Sequence, residues 1–182
     1  GGSTNTVLHI LAAAQEAGAQ PILAPMAVGD LGQMAMVADP GGAAVGLWQA
    51  GTFPGITVLG EPGAPAWFEL HTMAYDAVLP FYRDVFGWDI HTVSDAPEFR
   101  YSTNGPEEAG LAGVMDDAVH APEGSPSYFA TYIAVADADA TVAEAEALGG
   151  GIEMQPENTP YGRLAIITDT TGSRLHVMGE TT

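Results

Sequence analysis

Apolar residues along the 182-residue chain recur in two rhythms. One returns every three to four residues, as on one face of a helix; the other alternates, as in a half-buried strand. The first predicts helices over Gly1–Gly18, Asp76–Phe86 and Ala138–Leu148. In the first of these Ser3, Thr4 and Asn5 are suitable N-caps, Val7, Leu8, Leu11, Ala14 and Gln15 follow at helical spacing, and Gly18 marks the stop. The second rhythm predicts strands near Pro21–Ala24, Gln33–Ala38, Ala43–Trp48, Trp67–Met73, Asp89–Val93, Phe99–Thr103 and Leu111–Met115. It continues with Tyr128–Val135, Ile152–Gln155, Leu164–Thr168 and Arg174–Met178. The order is αβββ, then βαβββ, then βαβββ.

Two stretches about 130 residues apart repeat one another: Pro25 matches Pro156, Gly32 matches Gly162, Asp39 matches Asp169 and Gly42 matches Gly172. The first copy has no opening strand. This divides the chain into an incomplete αβββ unit over 1–50, a Gly- and Pro-rich linker over 51–63, and a complete module over 64–182. The module comprises two βαβββ units, 64–118 and 126–180. Each unit has a sheet with one apolar face, and two in tandem cover each other. The expected fold is α+β: an eight-stranded, curved mixed-sheet cup with the incomplete unit attached. The orphan sheet is expected to carry Ile22, Met34, Met36, Val45 and Leu47 on one apolar face, which needs a cover. A twofold partner supplies one, which predicts a homodimer through the N-terminal unit. The competing expectation is a monomer whose first helix folds back on its own sheet through Val7, Leu8 and Leu11.

Charge narrows the list of partners. Four basic and 23 acidic residues give a net charge of −19, which repels nucleic acid and anionic lipid. No apolar run is long enough to span a bilayer and no basic-led signal peptide is seen, so the expectation is a cytoplasmic protein that engages neither membrane nor nucleic acid. With no Cys, disulfides, thiolate metal sites, iron–sulfur clusters and cysteine nucleophiles are excluded. The chain opens on Gly1-Gly2 rather than Met, as a processed, tagged or truncated start would.

Tandem βαβββ units with AVLPFYRDVFGW after a strand resemble the vicinal-oxygen-chelate superfamily, which includes glyoxalase I, extradiol dioxygenases and bleomycin-resistance proteins. Pro80-Phe81-Tyr82 running to Phe86-Gly87-Trp88 is similar to its helix-to-strand passage, and Asp169 to Gly172 to its last turn. GDLGQMAMVADPGGAAVGLWQAG, a Pro-Gly link and WFEL resemble the actinobacterial two-module branch, labelled hydroxylase or antigen, here lacking part of the first module. Residues 1–18 resemble a segment of dihydroxy-acid dehydratases, whose iron–sulfur site a chain without Cys cannot build.

Metal-dependent members of that superfamily hold a divalent ion with His and Glu from the first and last strands of two units. Carried over by position, those ligands fall on Trp67, near Ala130, on Gly113 or Val114, and on His176. Only His176 is a donor, so a metal-free cavity is the favoured expectation. The alternative set is Glu69, His71 and His176, two imidazoles and a carboxylate that would suit a divalent ion after a shift along the strand. Trp67, Glu69 and His71 alternate onto one face, and Glu69 with His71 form a candidate acid/base pair. Trp67, Tyr101 and Tyr132 offer aromatic walls, and Tyr161 and Arg163 flank Gly162 in a loop before a strand. Arg163 and Arg100 are the candidate counterions for an anionic ligand. His9 and His91 are expected in solvent, His120 in a connector, and Glu107, Glu108, Asp116 and Asp117 as solvated loop charge. The leading function is binding of a small, partly aromatic organic molecule with no cofactor. The alternatives are a metal-dependent lyase or dioxygenase and an assembly module without ligand.

Overall fold

The computed structural model describes residues 6–106 and 109–181. The expected caps Ser3, Thr4 and Asn5, and Glu107 and Glu108, lie outside the described residues. The order is α1 (Thr6–Glu16), β1 (Gln20–Val28), β2 (Gly32–Ala38), β3 (Ala44–Ala50), β4 (Pro65–Thr72), α2 (Tyr75–Phe86), β5 (His91–Ala96), β6 (Phe99–Thr103) and β7 (Ala112–Asp116). Then come β8 (Tyr128–Ala134), α3 (Ala138–Ala147), β9 (Gly151–Thr159), β10 (Gly162–Thr168) and β11 (Arg174–Gly179). These make an α+β fold with two open sheets: a three-stranded one, β1-β2-β3, and an eight-stranded one, β5-β6-β7-β4-β8-β11-β10-β9. The chain forms two compact units, residues 1–57 with 70–129, and residues 58–69 with 130–182.

In the first unit α2 buries Tyr75, Val78, Phe81 and Tyr82, the stripe that helical spacing predicts. Gly87, at φ 70°, ends it in the left-handed region that glycine enters without strain. Leu70, Val114, Val37, Ala14 and Ala19 pack in the same core, so strands of both sheets and α1 share it with α2. A second small cluster joins Val7 of α1 to Ala35 and Leu47, with Phe86 packed against it. Helix α1 therefore folds back on its own sheet through Val7 and Leu11, while Leu8 is exposed.

The expected single apolar face of that sheet is corrected by its register. Val37 pairs with Val45 and Ala35 with Leu47, whereas Met34 pairs with Trp48 and Met36 with Gly46. Side chains alternate along a strand, so Val45 and Leu47 share the α1 side with Ala35 and Val37, and Met34 and Met36 lie on the opposite side. One side is a core; the other, carrying half-buried Met34 and Met36 and exposed Trp48, is open.

In the second unit α3 is capped by Asp137, whose carboxylate accepts the Ala140 N–H at 2.9 Å. Its Val142 packs with Ala165, Ile167 and Val177. Strand β11 lies between β10, antiparallel, and β8, parallel, with His176 opposite Tyr132. Among the described residues no helix is long and apolar enough to cross a membrane.

Candidate functional site

Strand pairing brings three of the expected residues together in the second unit. Glu69 near the middle of β4, Tyr132 in β8 and His176 in β11 are each less than a tenth exposed. The Tyr132 hydroxyl donates to Glu69 Oε1 at 3.1 Å. A buried carboxylate needs such a donor, since leaving it without one costs several kcal/mol, on the order of 3 or more. The Tyr132 and His176 rings meet edge to face, centroids 4.9 Å apart at 70°. A phenol, a carboxylate and an imidazole thus lie side by side in one unit, able to donate to, accept from and stack on an organic molecule. Trp67, two residues before Glu69, is half-buried in the same unit.

A second polar station lies in the first unit. His71 Nδ1 meets both oxygens of Asp117, at 3.1 and 3.2 Å. Its ring stacks on Tyr128 with centroids 4.8 Å apart and planes 5° from parallel. The Asp117 N–H donates to the Thr72 carbonyl at 2.9 Å, which holds the carboxylate at the end of β4 beside the ring. A carboxylate on Nδ1 fixes the proton there and selects the tautomer. The expectation of solvated charge at Asp116 and Asp117 is therefore overturned. Asp117 engages His71, and buried Asp116 accepts from Arg100 Nη1 at 3.2 Å and from the Ala118 N–H at 3.0 Å. In the sequence Asp117 reads only as loop charge, and Tyr128 only as the start of a strand. Their one signal is position, since each sits just beyond or at the end of a strand next to β4.

The remaining candidates are dispersed. Tyr101, in the first unit, is buried and stacks on Phe99. Its hydroxyl occupies the place a Cβ at Gly113 would take, so no larger residue fits there while Tyr101 keeps its position. Tyr161, half exposed, lines an open groove of ≈ 770 Å³ in the second unit with Gly60, Pro62, Gly162, Met178 and Glu180. Neither Glu69, Tyr132 nor His176 lines that groove. Both arginines proposed as counterions have carboxylate partners. Arg163 forks onto Asp139 at 2.5 and 2.7 Å. Arg100 reaches Asp76, Asp95 and Asp116 and lies 4.5 Å over the Tyr75 ring. The Arg100 guanidinium hydrogen-bonded to Asp76 holds that carboxyl below its ordinary value, as Arg163 does for Asp139. His91 is exposed and reaches Asp89 at 2.9 Å.

Of the four positions carried over from metal-dependent relatives, only His176 offers a side-chain donor. Trp67, Ala130 and Gly113 or Val114 stand at the positions of three expected ligands, and Tyr101 fills the space at Gly113. Among the described residues no three His, Asp or Glu side chains are grouped to hold an ion.

Comparison with known proteins agrees with this architecture. The model of the Glyoxalase/Bleomycin resistance protein/Dioxygenase superfamily matches residues 65–177, and the chain belongs to that superfamily. "Putative glyoxylase CFP32" of Mycobacterium tuberculosis is 36% identical over 162 residues, covering 88% of this chain and 61% of its own. The anthracycline biosynthesis protein DnrV of Streptomyces peucetius is 34% identical over 177 residues, covering 90% of this chain and 58% of its own. The chain thus spans about three fifths of the length of the curated relatives it matches. Among solved structures, the 2,3-dioxygenase LapB of Pseudomonas sp. KL28 superposes with TM-score 0.64 at 12% identity, covering 99% of this chain and 69% of that one. The Mn(II)-bound glyoxalase of Novosphingobium aromaticivorans gives 0.63 at 15% identity, covering 99% and 60%. At such identities the likeness is one of fold, and chemistry is decided by the residues present.

Proposed function

We propose that this chain binds a small, planar, partly aromatic organic molecule without a metal. The observation that carries the reading is the buried trio Glu69, Tyr132 and His176, where an O–H donor, a carboxylate and an imidazole ring adjoin one another. Trp67 in the same unit is a further contact candidate, and His71 and Tyr101 remain candidates within the first unit. Tyr161 and Arg163 are set apart from the trio, the first by its groove and the second by its pairing with Asp139. Aromatic side chains at or over positions where metal-dependent relatives carry donors support the same reading. Two matched relatives named for anthracycline biosynthesis suggest a fused-ring aromatic ligand class. A cytoplasmic protein acting as a homodimer through residues 1–50 completes the proposal.

The test is titration of the intact chain with an anthracycline, followed by ligand fluorescence and by the unfolding midpoint. Micromolar binding is expected, weakened about tenfold in Tyr132→Phe and in Glu69→Gln, the loss of one hydrogen bond of about 1.4 kcal/mol. Elemental analysis of the purified chain should find no stoichiometric transition metal. A bound metal that disappears in His176→Ala would overturn the metal-free reading in favour of a metal-dependent lyase or dioxygenase. No midpoint shift with this ligand or across a panel of fused-ring aromatics would favour an assembly module without ligand.

A further inference from the structure

The β1-β2-β3 sheet has two unlike edges. The β1 edge carries Pro21 and Pro25, which lack an N–H and block addition of a strand. The β3 edge, AVGLWQA, has neither proline nor charge. At the β2–β3 turn the Asp39 N–H donates to the Ala43 carbonyl at 2.8 Å. Hydrogen-bonded and non-bonded pairs alternate from there, so the N–H and C=O of Ala44, Gly46 and Trp48 point away from β2. In the repeated sheet the matching residues of β11, His176, Val177 and Met178, pair with β8. Among the described residues β3 ends its sheet, with no strand beside it.

The surroundings of that edge are apolar and nearly uncharged. Residues 20–57 contain only two charged side chains, Asp30 and Asp39, in a chain whose net charge is −19. Asp39 is buried. Trp48 on β3 is 38% exposed, and Phe53, whose ring meets it edge to face, is half exposed. Two copies of so acidic a chain repel wherever acidic surfaces meet, and this is the stretch where they can approach without doing so. We propose that the β3 edge pairs antiparallel with the β3 edge of a second copy about a twofold axis, making one six-stranded sheet. This rests on the reading of residues 1–50 as the dimer element and names the edge that forms it.

Gly46 gives the test, because a side chain there enters open space and its N–H faces outward. Gly46→Pro and Gly46→Glu should therefore leave the β2–β3 ladder in place, checked by far-ultraviolet circular dichroism. Sedimentation equilibrium of the full chain at about 50 µM is expected to show a dimer. The dimer should tighten as sodium chloride rises from about 0.02 to about 0.5 M and screens like charges. Both variants are expected to be monomers, and Gly46→Glu decides alone if Gly46→Pro fails to fold. A wild-type chain that stays monomeric at high salt overturns the dimer itself and leaves the edge to a strand of another polypeptide. A wild-type dimer that both folded variants retain with unchanged affinity overturns the β3 edge but keeps the dimer.

Discussion

In β2 and β10 the same positions are buried, Ala35 and Val37 in one and Ala165 and Ile167 in the other. Each central strand has an antiparallel neighbour on both sides, and each final strand follows an Asp-led turn. Asp39 Oδ1 accepts the N–H groups of Gly41 and Ala43, and Asp169 Oδ1 those of Thr171 and Ser173. Beyond the turn the two differ. Asp39 is buried and its other oxygen accepts the Tyr82 hydroxyl of α2 at 2.8 Å, whereas Asp169 is exposed and accepts from the Thr171 hydroxyl. Gly41 has Thr72, Ser127 and Val78 where a side chain would go, and its counterpart in the repeat is Thr171. One local motif thus works as a free-standing turn in one sheet and as a buried clasp in the other. What differs is the neighbouring helix and strand, not the turn.

The largest break in that comparison should come from Asp39→Ala against Asp169→Ala. The first removes the acceptor of two backbone N–H groups and of a buried phenol, and about 3 kcal/mol of stability should go with it. The second opens only solvent-exposed bonds and should move the urea midpoint much less. Equal losses would mean that the clasp adds nothing to the turn.

Gly41→Ala comes next. Its Cβ would lie 2.6 Å from Thr72 Oγ1, an atom held by Ser127 and by the Ala74 N–H. About 1–3 kcal/mol should be lost to the enforced shift. Thr171→Ala, in the open turn, should stay within about 0.5 kcal/mol. Urea unfolding of the two variants in parallel reads this directly, and a tolerated Gly41→Ala would show that the clasp can slide.

The sequence carried the repeat and hence the elements, because alternation and helical spacing survive in both copies. It misjudged strand lengths at Pro25 and Pro156, read as stops although β1 and β9 run through them to Val28 and Thr159. Both are edge strands, where a missing N–H costs no ladder bond. Glu69 and His71 could be picked out by alternation, and His176 by its position after Gly172, carried over from the resemblance. Asp117 could not, since an acidic residue in an acidic connector looks the same whether it meets water or an imidazole. Nor could the clasp, because Tyr82 is 43 residues from Asp39 and nothing local separates Asp39 from Asp169. Long-range partners decide these roles, and a local pattern does not encode them.

The smallest effect is also the most diagnostic, because the two turns should respond to pH with opposite signs. Burial raises the Asp39 carboxyl above its ordinary 3.8, against the lowering effect of its bonds from Tyr82, Ala43 and Gly41. Held protonated more tightly in the folded chain than in the unfolded one, it contributes stability that is full below 3.8 and lost as pH rises through the higher folded value. Asp169 is lowered by the Thr171 hydroxyl and by the N–H groups of Ser173 and Thr171. Its contribution is present above 3.8 and lost as pH falls through the lower folded value. Asparagine at either site keeps an acceptor for the backbone and removes the titration. The melting temperature of the wild type relative to Asp39→Asn should therefore climb as pH falls from neutrality towards 3.8. Relative to Asp169→Asn it should hold over that range and drop below it. Parallel curves for the two variants would show that both carboxyls meet the same surroundings, and the clasp would have to be abandoned.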